Sequence, residues 1–291
     1  MNPIGANTWI WVSPPTDERI AELAPRIRDW GFDVIELPIE RPGDWDPDRT
    51  AELLAELGLG ATTCAVMPES RSLVSPDGEV VAATQDYLRT CVDHAARIGA
   101  SVVGGPIYAP VGWTPLLDAD ERSGTVDRLV EALAGPAEYA ASRGVTLAIE
   151  PLNRYETSLV NTVEQAREIV DRVDSAGCGI LVDTFHLNIE ERDPAAAIRI
   201  AGDRLAHVQV CANDRGAPGA DHIDWPAHLE ALRDIGYAGP LCIESFTAEN
   251  QTIARAAAIW RPLARSQDAI ATDGLAFLRR AFTEAPHREI A

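Results

Sequence analysis

Lysine is missing from this chain: all 25 basic residues are arginine. Enzymes that form a Schiff base with a substrate carbonyl or with pyridoxal phosphate need a lysine amine, so both chemistries are excluded. Cysteine is sparse. The five cysteines, Cys64, Cys91, Cys178, Cys211 and Cys242, form no CxxC pair and several fall in apolar runs. They read as reduced core residues of a cytoplasmic protein, and a zinc cluster or a nucleophilic thiol is disfavoured. Positive charge is also scarce, with 45 acidic side chains against 25 basic ones and a formal net charge of −20. That balance argues against nucleic acid and anionic membrane as partners, since both select basic faces. No apolar run approaches the roughly 20 residues a membrane span needs. Met1-Asn-Pro-Ile4 lacks the basic and apolar regions of an export signal.

What the chain does have is a repeating order: a helix-period segment, a glycine, then a short apolar run. Gly31 precedes Phe32–Glu36, Gly58 precedes Ala61–Val66, and Gly99 precedes Ser101–Val103; Gly144, Gly177 and Gly236 precede runs ending at Glu150, Asp183 and Glu244. Glycine just past a helix is the expected left-handed cap. Adding Ile4–Val12 and Leu205–Gln209 makes eight strands. Helices are expected at 17–30, 47–57, 79–98, 121–143, 162–175, 194–201, 226–235 and 250–263, with a closing one at 267–282. Asp193-Pro194 marks one helix start, and Asn161-Thr-Val-Glu164 fits a capping box. Eight alternations in 291 residues predict a single (β/α)8 TIM barrel over residues 1–291, with a loosely held tail from Thr283.

Four of the strand runs, Val145–Glu150, Cys178–Asp183, Leu205–Gln209 and Pro240–Glu244, each stop on an oxygen-bearing side chain. The strand C-termini of a parallel barrel are where catalytic groups are assembled, because the βα loops there vary without disturbing the core. Any one such residue alone can be a strand cap facing solvent. Three carboxylates and an amide from successive βα units instead repel one another unless a cation lies between them, so a divalent metal held by Glu150, Asp183, Gln209 and Glu244 is expected.

Two glutamates beside a metal support proton abstraction next to a carbonyl. If Glu150 and Glu244 flank the substrate, one removes a proton from one face and the other returns it to the opposite face, inverting a carbon. If only one acts, the outcome is aldose–ketose isomerisation. Further polar residues lie nearby: Glu156 just past Glu150, His186 three residues beyond Asp183, and Arg215 in the loop Asn213–Gly219, placed to bind a substrate hydroxyl or an enediolate oxygen. Trp9, Trp11, Tyr108 and Trp113 stand on the first strand and the loop after the fourth, and aromatic faces suit the C–H faces of a sugar. His222 and Asp224 are expected to order the loop after the seventh strand. His94, His228 and His287 are assigned no role beyond helix surface or tail.

The segments Ile149-Glu-Pro-Leu-Asn-Arg-Tyr-Glu156, Asp183-Thr-Phe-His-Leu-Asn-Ile-Glu-Glu191, Asn213-Asp-Arg-Gly-Ala-Pro-Gly219 and Gly105–Trp113, with Ile259–Leu263 through Leu278, resemble the ketose 3-epimerases of the D-tagatose and D-psicose (allulose) group. The resemblance spans essentially the whole chain. It implies a Mn²⁺ or Co²⁺ site, free ketohexose or ketopentose substrates, and a cis-enediolate across C2 and C3. It implies Glu150 and Glu244 as both ligands and acid/base pair, Asp183 as a ligand, and Glu156, His186 and Arg215 as substrate-holding residues, in a homodimer or homotetramer. One position departs: where the group has His-x-His at the end of strand seven, this chain reads His207-Val-Gln209, and Ala212 stands where a Glu is common. Gln209 is a harder, neutral ligand that favours Mn²⁺ or Mg²⁺ over Zn²⁺, and a glutamine there is similar to the hydroxypyruvate isomerases.

Other readings stay open on the residues: a ketose–aldose or hydroxypyruvate isomerase, a lyase on a 3-keto-glycoside, or a sugar-binding protein that no longer catalyses. A zinc phosphodiesterase on the same barrel needs more histidines and a basic face. No glycine-rich phosphate cradle follows strands seven and eight, which favours unphosphorylated sugars.

Overall fold

In the computed structural model, which describes residues 1–284, eight parallel strands close into a barrel in sequence order, β1 pairing with both β2 and β8. The strands are β1 (Ile4–Asn7), β2 (Val34–Pro38), β3 (Gly60–Cys64), β4 (Val102–Gly105), β5 (Thr146–Ile149), β6 (Cys178–Asp183), β7 (Leu205–Val210) and β8 (Leu241–Ile243). Helices α1 (Asp17–Trp30), α2 (Pro47–Leu57), α3 (Gly78–Arg97), α4 (Ala119–Ser142), α5 (Val163–Val173), α6 (Thr184–Glu190), α7 (Pro194–Ala201), α8 (Trp225–Asp234), α9 (Gln251–Ala256) and α10 (Gln267–Glu284) follow or close the strands. The expected (β/α)8 architecture is what the chain forms.

Five of the turn glycines adopt left-handed backbone as expected, Gly31, Gly58, Gly99, Gly144 and Gly236. Gly177 does not. Asp174 makes that turn at φ 49°, and a Cβ on Gly177 would stand 2.1 Å from the Ala137 carbonyl oxygen, so Gly177 serves a close helix–strand approach. The capping box of α5 lies one residue later than expected, on Thr162 and Gln165, whereas Asp193 caps α7 ahead of Pro194 as read. β1 stops at Asn7, because the Asn7 side chain accepts from Trp9 N (2.8 Å) and bends the chain into a 3-10 turn over Thr8–Ile10. Helix α9 ends at Ala256, short of the expected 263, with Ala258 at positive φ. Thr283 is still helical, in α10; the rest of the expected tail, 285–291, with His287, lies outside the described residues.

Strand periodicity decides what faces the lumen. The main core lies outside the barrel, where alternate residues such as Ile35, Val103, Ile149, Val182, Val208 and Ile243 meet the helices. The other set points inward. Val102, Ala148 and Leu181 form a separate apolar cluster there, and a Cβ on Gly104 would stand 2.3 Å from Leu181 Cδ1. Continuing the same parity toward the strand C-termini brings Asn7, Glu36, Cys64, Glu150, Asp183, His207, Gln209 and Glu244 to the top of the lumen, all buried. The barrel therefore changes from apolar to carboxylate-rich along its own axis.

Candidate active site

A cavity opens at that end. Its lining includes Glu150, Glu156, His186, Gln209, Arg215 and Glu244 on the polar side, and Trp9, Val66, Val111, Leu152, Phe246 and Ile253 on the apolar side. Asp183 sits directly behind and accepts from Arg215 Nη1, which also donates to Glu244 Oε2 at 3.1 Å. The βα loop of strand seven, turning at Arg215 with φ 69°, delivers the guanidinium into the mouth between the Phe185 and Phe246 rings, 4.1 Å and 4.8 Å from their centroids. One arginine thus faces a group of buried carboxylates. The imbalance shows in their acidities: burial, then Glu244 and Asp183, hold the Glu150 carboxyl well above its ordinary range. Burial likewise raises Glu244; Arg215 opposes this, but Asp183 and Glu36 add to it.

His186 comes from α6, a helix the sequence reading missed because it begins on the residue after β6. Asp183 caps it, its Oδ1 accepting from Phe185 N at 2.9 Å. Asn153 N donates to His186 Nδ1 (3.0 Å), and burial, followed by the Arg215 charge, pushes the imidazole well below its ordinary value. The ring's Nε2 stands 3.1 Å from Arg215 Nη2 and 3.5 Å from Glu150 Oε1, so it faces both the guanidinium and the carboxylate at the cavity wall. Asn153 Nδ2 also donates to Glu156 Oε1 (2.8 Å), fixing that carboxylate at the cavity wall.

Beneath the cavity lies a polar network that sequence reading did not assign. Glu36 is fully buried and accepts from Asn7 Nδ2 (2.9 Å) and Gln209 Nε2 (2.8 Å) on one oxygen, and from Thr62 Oγ1 (3.0 Å) and His207 Nε2 (2.5 Å) on the other. Burial pushes its carboxyl up, but His207, Gln209 and Asn7 outweigh that and bring it below its ordinary value. The available signal was that Phe32–Glu36 also ends on a carboxylate, as three of the four selected runs do. Gln209 Nε2 reaches Glu244 Oε1 as well (2.9 Å), while Gln209 Oε1 is buried without a hydrogen-bond partner.

The structure brings Glu150, Glu156, His186, Gln209, Arg215 and Glu244 around one cavity, with Asp183 against Arg215 and within ligand reach of Glu150. Trp113, expected among the substrate-binding residues, is the exception. It does not line the cavity, because its backbone bridges to Thr157 and its half-buried ring packs on the core. Of the other expected aromatics, Trp9 lines the cavity, Trp11 stacks on Trp30, and Tyr108 is buried with its hydroxyl donating to the Glu150 carbonyl (3.1 Å). His222 binds Asn188 (2.9 Å) and Asp224 caps α8, both ordering the strand-seven loop as expected.

Glu150, Asp183 and His186 offer ligand atoms within 4.8 Å of one another, Glu244 does so with Glu36 and Cys64, and the buried Gln209 Oε1 has no hydrogen-bond partner; such carboxylate-rich donors suit a hard divalent cation.

Barrel and carboxylate-lined mouth together define an enzyme of the xylose isomerase-like TIM barrel class, whose family model matches residues 24–281. Within that class the relatives are specific. A Synechocystis sp. protein named "Probable ketose 3-epimerase" is 34% identical over 280 residues, 96% of each chain. An L-ribulose 3-epimerase of Mesorhizobium japonicum is 33% identical over 96% of this chain and 93% of its own. The solved structure of a D-allulose 3-epimerase from Methylomonas sp., in complex with D-allulose, superposes with a TM-score of 0.89 at 29% identity, covering 96% of this chain and 97% of that one. The chain belongs to the ketose 3-epimerase family and is an isomerase.

Proposed function

We propose that this enzyme epimerises free ketoses of the psicose, fructose and tagatose type at C3, with a divalent metal, by way of a cis-enediolate. The observation that carries the reading is that Glu150 and Glu244, from strands on different sides of the barrel mouth, line one cavity together with Arg215 and His186. Each is thereby placed to take or give a proton at a sugar carbon held there. In the forward direction one glutamate, ionised, takes the C3 proton; the electron pair moves into the C2–C3 bond and onto the C2 oxygen. The other glutamate, protonated, then delivers its proton to the opposite face of C3. The pair ends with its protonation states exchanged, which is the starting state for the reverse reaction. Arg215 stabilises the oxygens of C2 and C3, His186 bounds the same side of the cavity, and Glu156 receives a sugar hydroxyl.

Glu150, Asp183, Gln209 and Glu244 would hold the metal, which supplies positive charge to the developing enediolate. Oxygen donors alone favour Mn²⁺, with Co²⁺ or Mg²⁺ as alternatives. A carboxylate-rich cavity with one arginine disfavours a phosphorylated sugar. Gln209 supports a second reading, proton transfer between neighbouring carbons as in an aldose–ketose or hydroxypyruvate isomerase.

One experiment separates them: fructose in D₂O with added Mn²⁺, followed by NMR. The epimerase reading expects psicose with deuterium at C3, and Glu150→Gln and Glu244→Gln each abolish it. Glucose or mannose as product favours the second reading, and full activity in either variant removes that glutamate from the acid/base pair. Five free, buried cysteines suit a cytoplasmic protein, and among the described residues no helix is long and apolar enough to cross a membrane. Exposed Leu116, Tyr155 and Trp260, on or beyond the loops after strands four, five and eight, suit a homodimer or homotetramer.

A further inference from the structure

Gln209 can meet a cation only through its oxygen, so the chemistry depends on which way the amide points. Both protons of its Nε2 are used on carboxylates, Glu36 Oε1 at 2.8 Å and Glu244 Oε1 at 2.9 Å. The reverse orientation would set the amide oxygen against two carboxylates and leave two buried N–H groups unmet, each costing on the order of 1–3 kcal/mol. Of the two carboxylates, Glu244 faces the cavity and is assigned a changing protonation state. Glu36 is outside the lining. It is also held on both oxygens by Asn7, Thr62 and His207 in addition to Gln209. Those donors fill Glu36, so although Glu36, His207 and Cys242 lie within ligand distance of one another, Glu36 has no lone pair facing an open site.

We propose that Glu36 is a positioning residue: by accepting from the Gln209 amide nitrogen it fixes the amide so that Oε1 is the atom offered to the metal. This rests on the metal reading above. It assigns a task to a carboxylate lying one interior layer below the cavity, and it accounts for how a glutamine holds a ligand position in this chain.

The test is Mn²⁺ affinity, read by the electron paramagnetic resonance of free Mn²⁺ on the full chain. In Glu36→Met the Gln209 nitrogen loses its acceptor below the cavity, and nothing there fixes which way the amide points. Mn²⁺ binding is then expected to weaken roughly ten- to a hundredfold. In Glu36→Gln the amide oxygen can receive Asn7 and Gln209 while its nitrogen faces Thr62 and His207, a hydroxyl and an imidazole that can each turn to accept. Its affinity is expected to stay within about threefold of the parent. A Glu36→Met protein that binds Mn²⁺ like the parent overturns the proposal and leaves the metal reading intact. A folded Glu36→Gln protein that binds as weakly as Glu36→Met also overturns it, since Glu36 would then act by charge. If the parent takes up no Mn²⁺, the metal reading fails and the proposal with it. Should Glu36→Met not fold, Glu36→Gln alone decides: parent-like affinity supports the proposal and a loss of about a hundredfold overturns it.

Discussion

Arg215 is the residue on which the buried charges of the mouth depend. Its side chain is 6% exposed and touches Asp183 and Glu244, themselves 0% and 6% exposed, so little solvent screens them. Breaking a buried pair by removing one partner costs about 3–5 kcal/mol, because the remaining charge is left uncompensated. Arg215→Met is therefore expected to destabilise the metal-free protein by that order in urea unfolding near neutral pH. Part of the loss should return when Mn²⁺ is added, since a cation among the same carboxylates replaces the missing charge. Unchanged midpoints with and without the substitution would show that the carboxylates simply take up protons there. The same substitution removes the group beside the C2 and C3 oxygens, so deuterium exchange should fall even where Mn²⁺ restores stability.

Strand β4 shows how an element can be constrained from both sides. It ends on Gly104-Gly105: a Cβ at the first meets Leu181 across the lumen, and a Cβ at the second stands 2.1 Å from the Ala65 carbonyl oxygen, with φ at 133°. Gly105 also lines the cavity. Gly105→Ala is expected to cost about 2–4 kcal/mol from strain and overpacking together, visible as a lower unfolding midpoint. A neutral result would mean that β3 can move away from β4 freely. Such contacts explain which elements sequence reading recovers. Seven of the eight strands were legible as short apolar runs bounded by turn residues, and they place Glu150, Asp183, Gln209 and Glu244 at the mouth simply by where each run stops. β1 was read too long, since Ile4–Val12 is apolar throughout and only the Asn7 hydrogen bond to Trp9 N ends the ladder. α6 was missed because Asp183 is both the last residue of β6 and the cap of the helix. Glu36 and His207 gained no role from the sequence because they meet across the lumen, at a sequence separation only barrel closure brings together, and Asn7 joins them from the neighbouring strand, where it pairs with Glu36. Trp113 was misplaced for the complementary reason: an aromatic in a βα loop can face the mouth or the neighbouring loop, and its bridge to Thr157 turns it to the latter.

At the scale of the whole molecule, the closed barrel gathers acidic groups where little solvent screens them, in a chain already carrying a formal charge of −20. Glu150 and Glu244 have folded values raised well above the ordinary 4.5. Below that ordinary value both folded and unfolded chains hold these protons and no pH dependence arises from them. As pH rises past it the unfolded chain releases its protons while the folded one retains them, so stability falls until the folded values are passed. The metal-free protein should therefore melt at progressively lower temperature as pH rises above the ordinary carboxylate range. Ion pairs elsewhere also titrate, which is why the comparison must be differential. The Glu150→Gln, Glu244→Gln double variant should show a flatter profile than the parent, and saturating Mn²⁺ should flatten the parent in the same way, because a bound cation favours the ionised carboxylates. Parallel profiles for parent and double variant would mean that the two glutamates ionise in the metal-free fold at ordinary pH, and the acid/base pair would need another source of its proton.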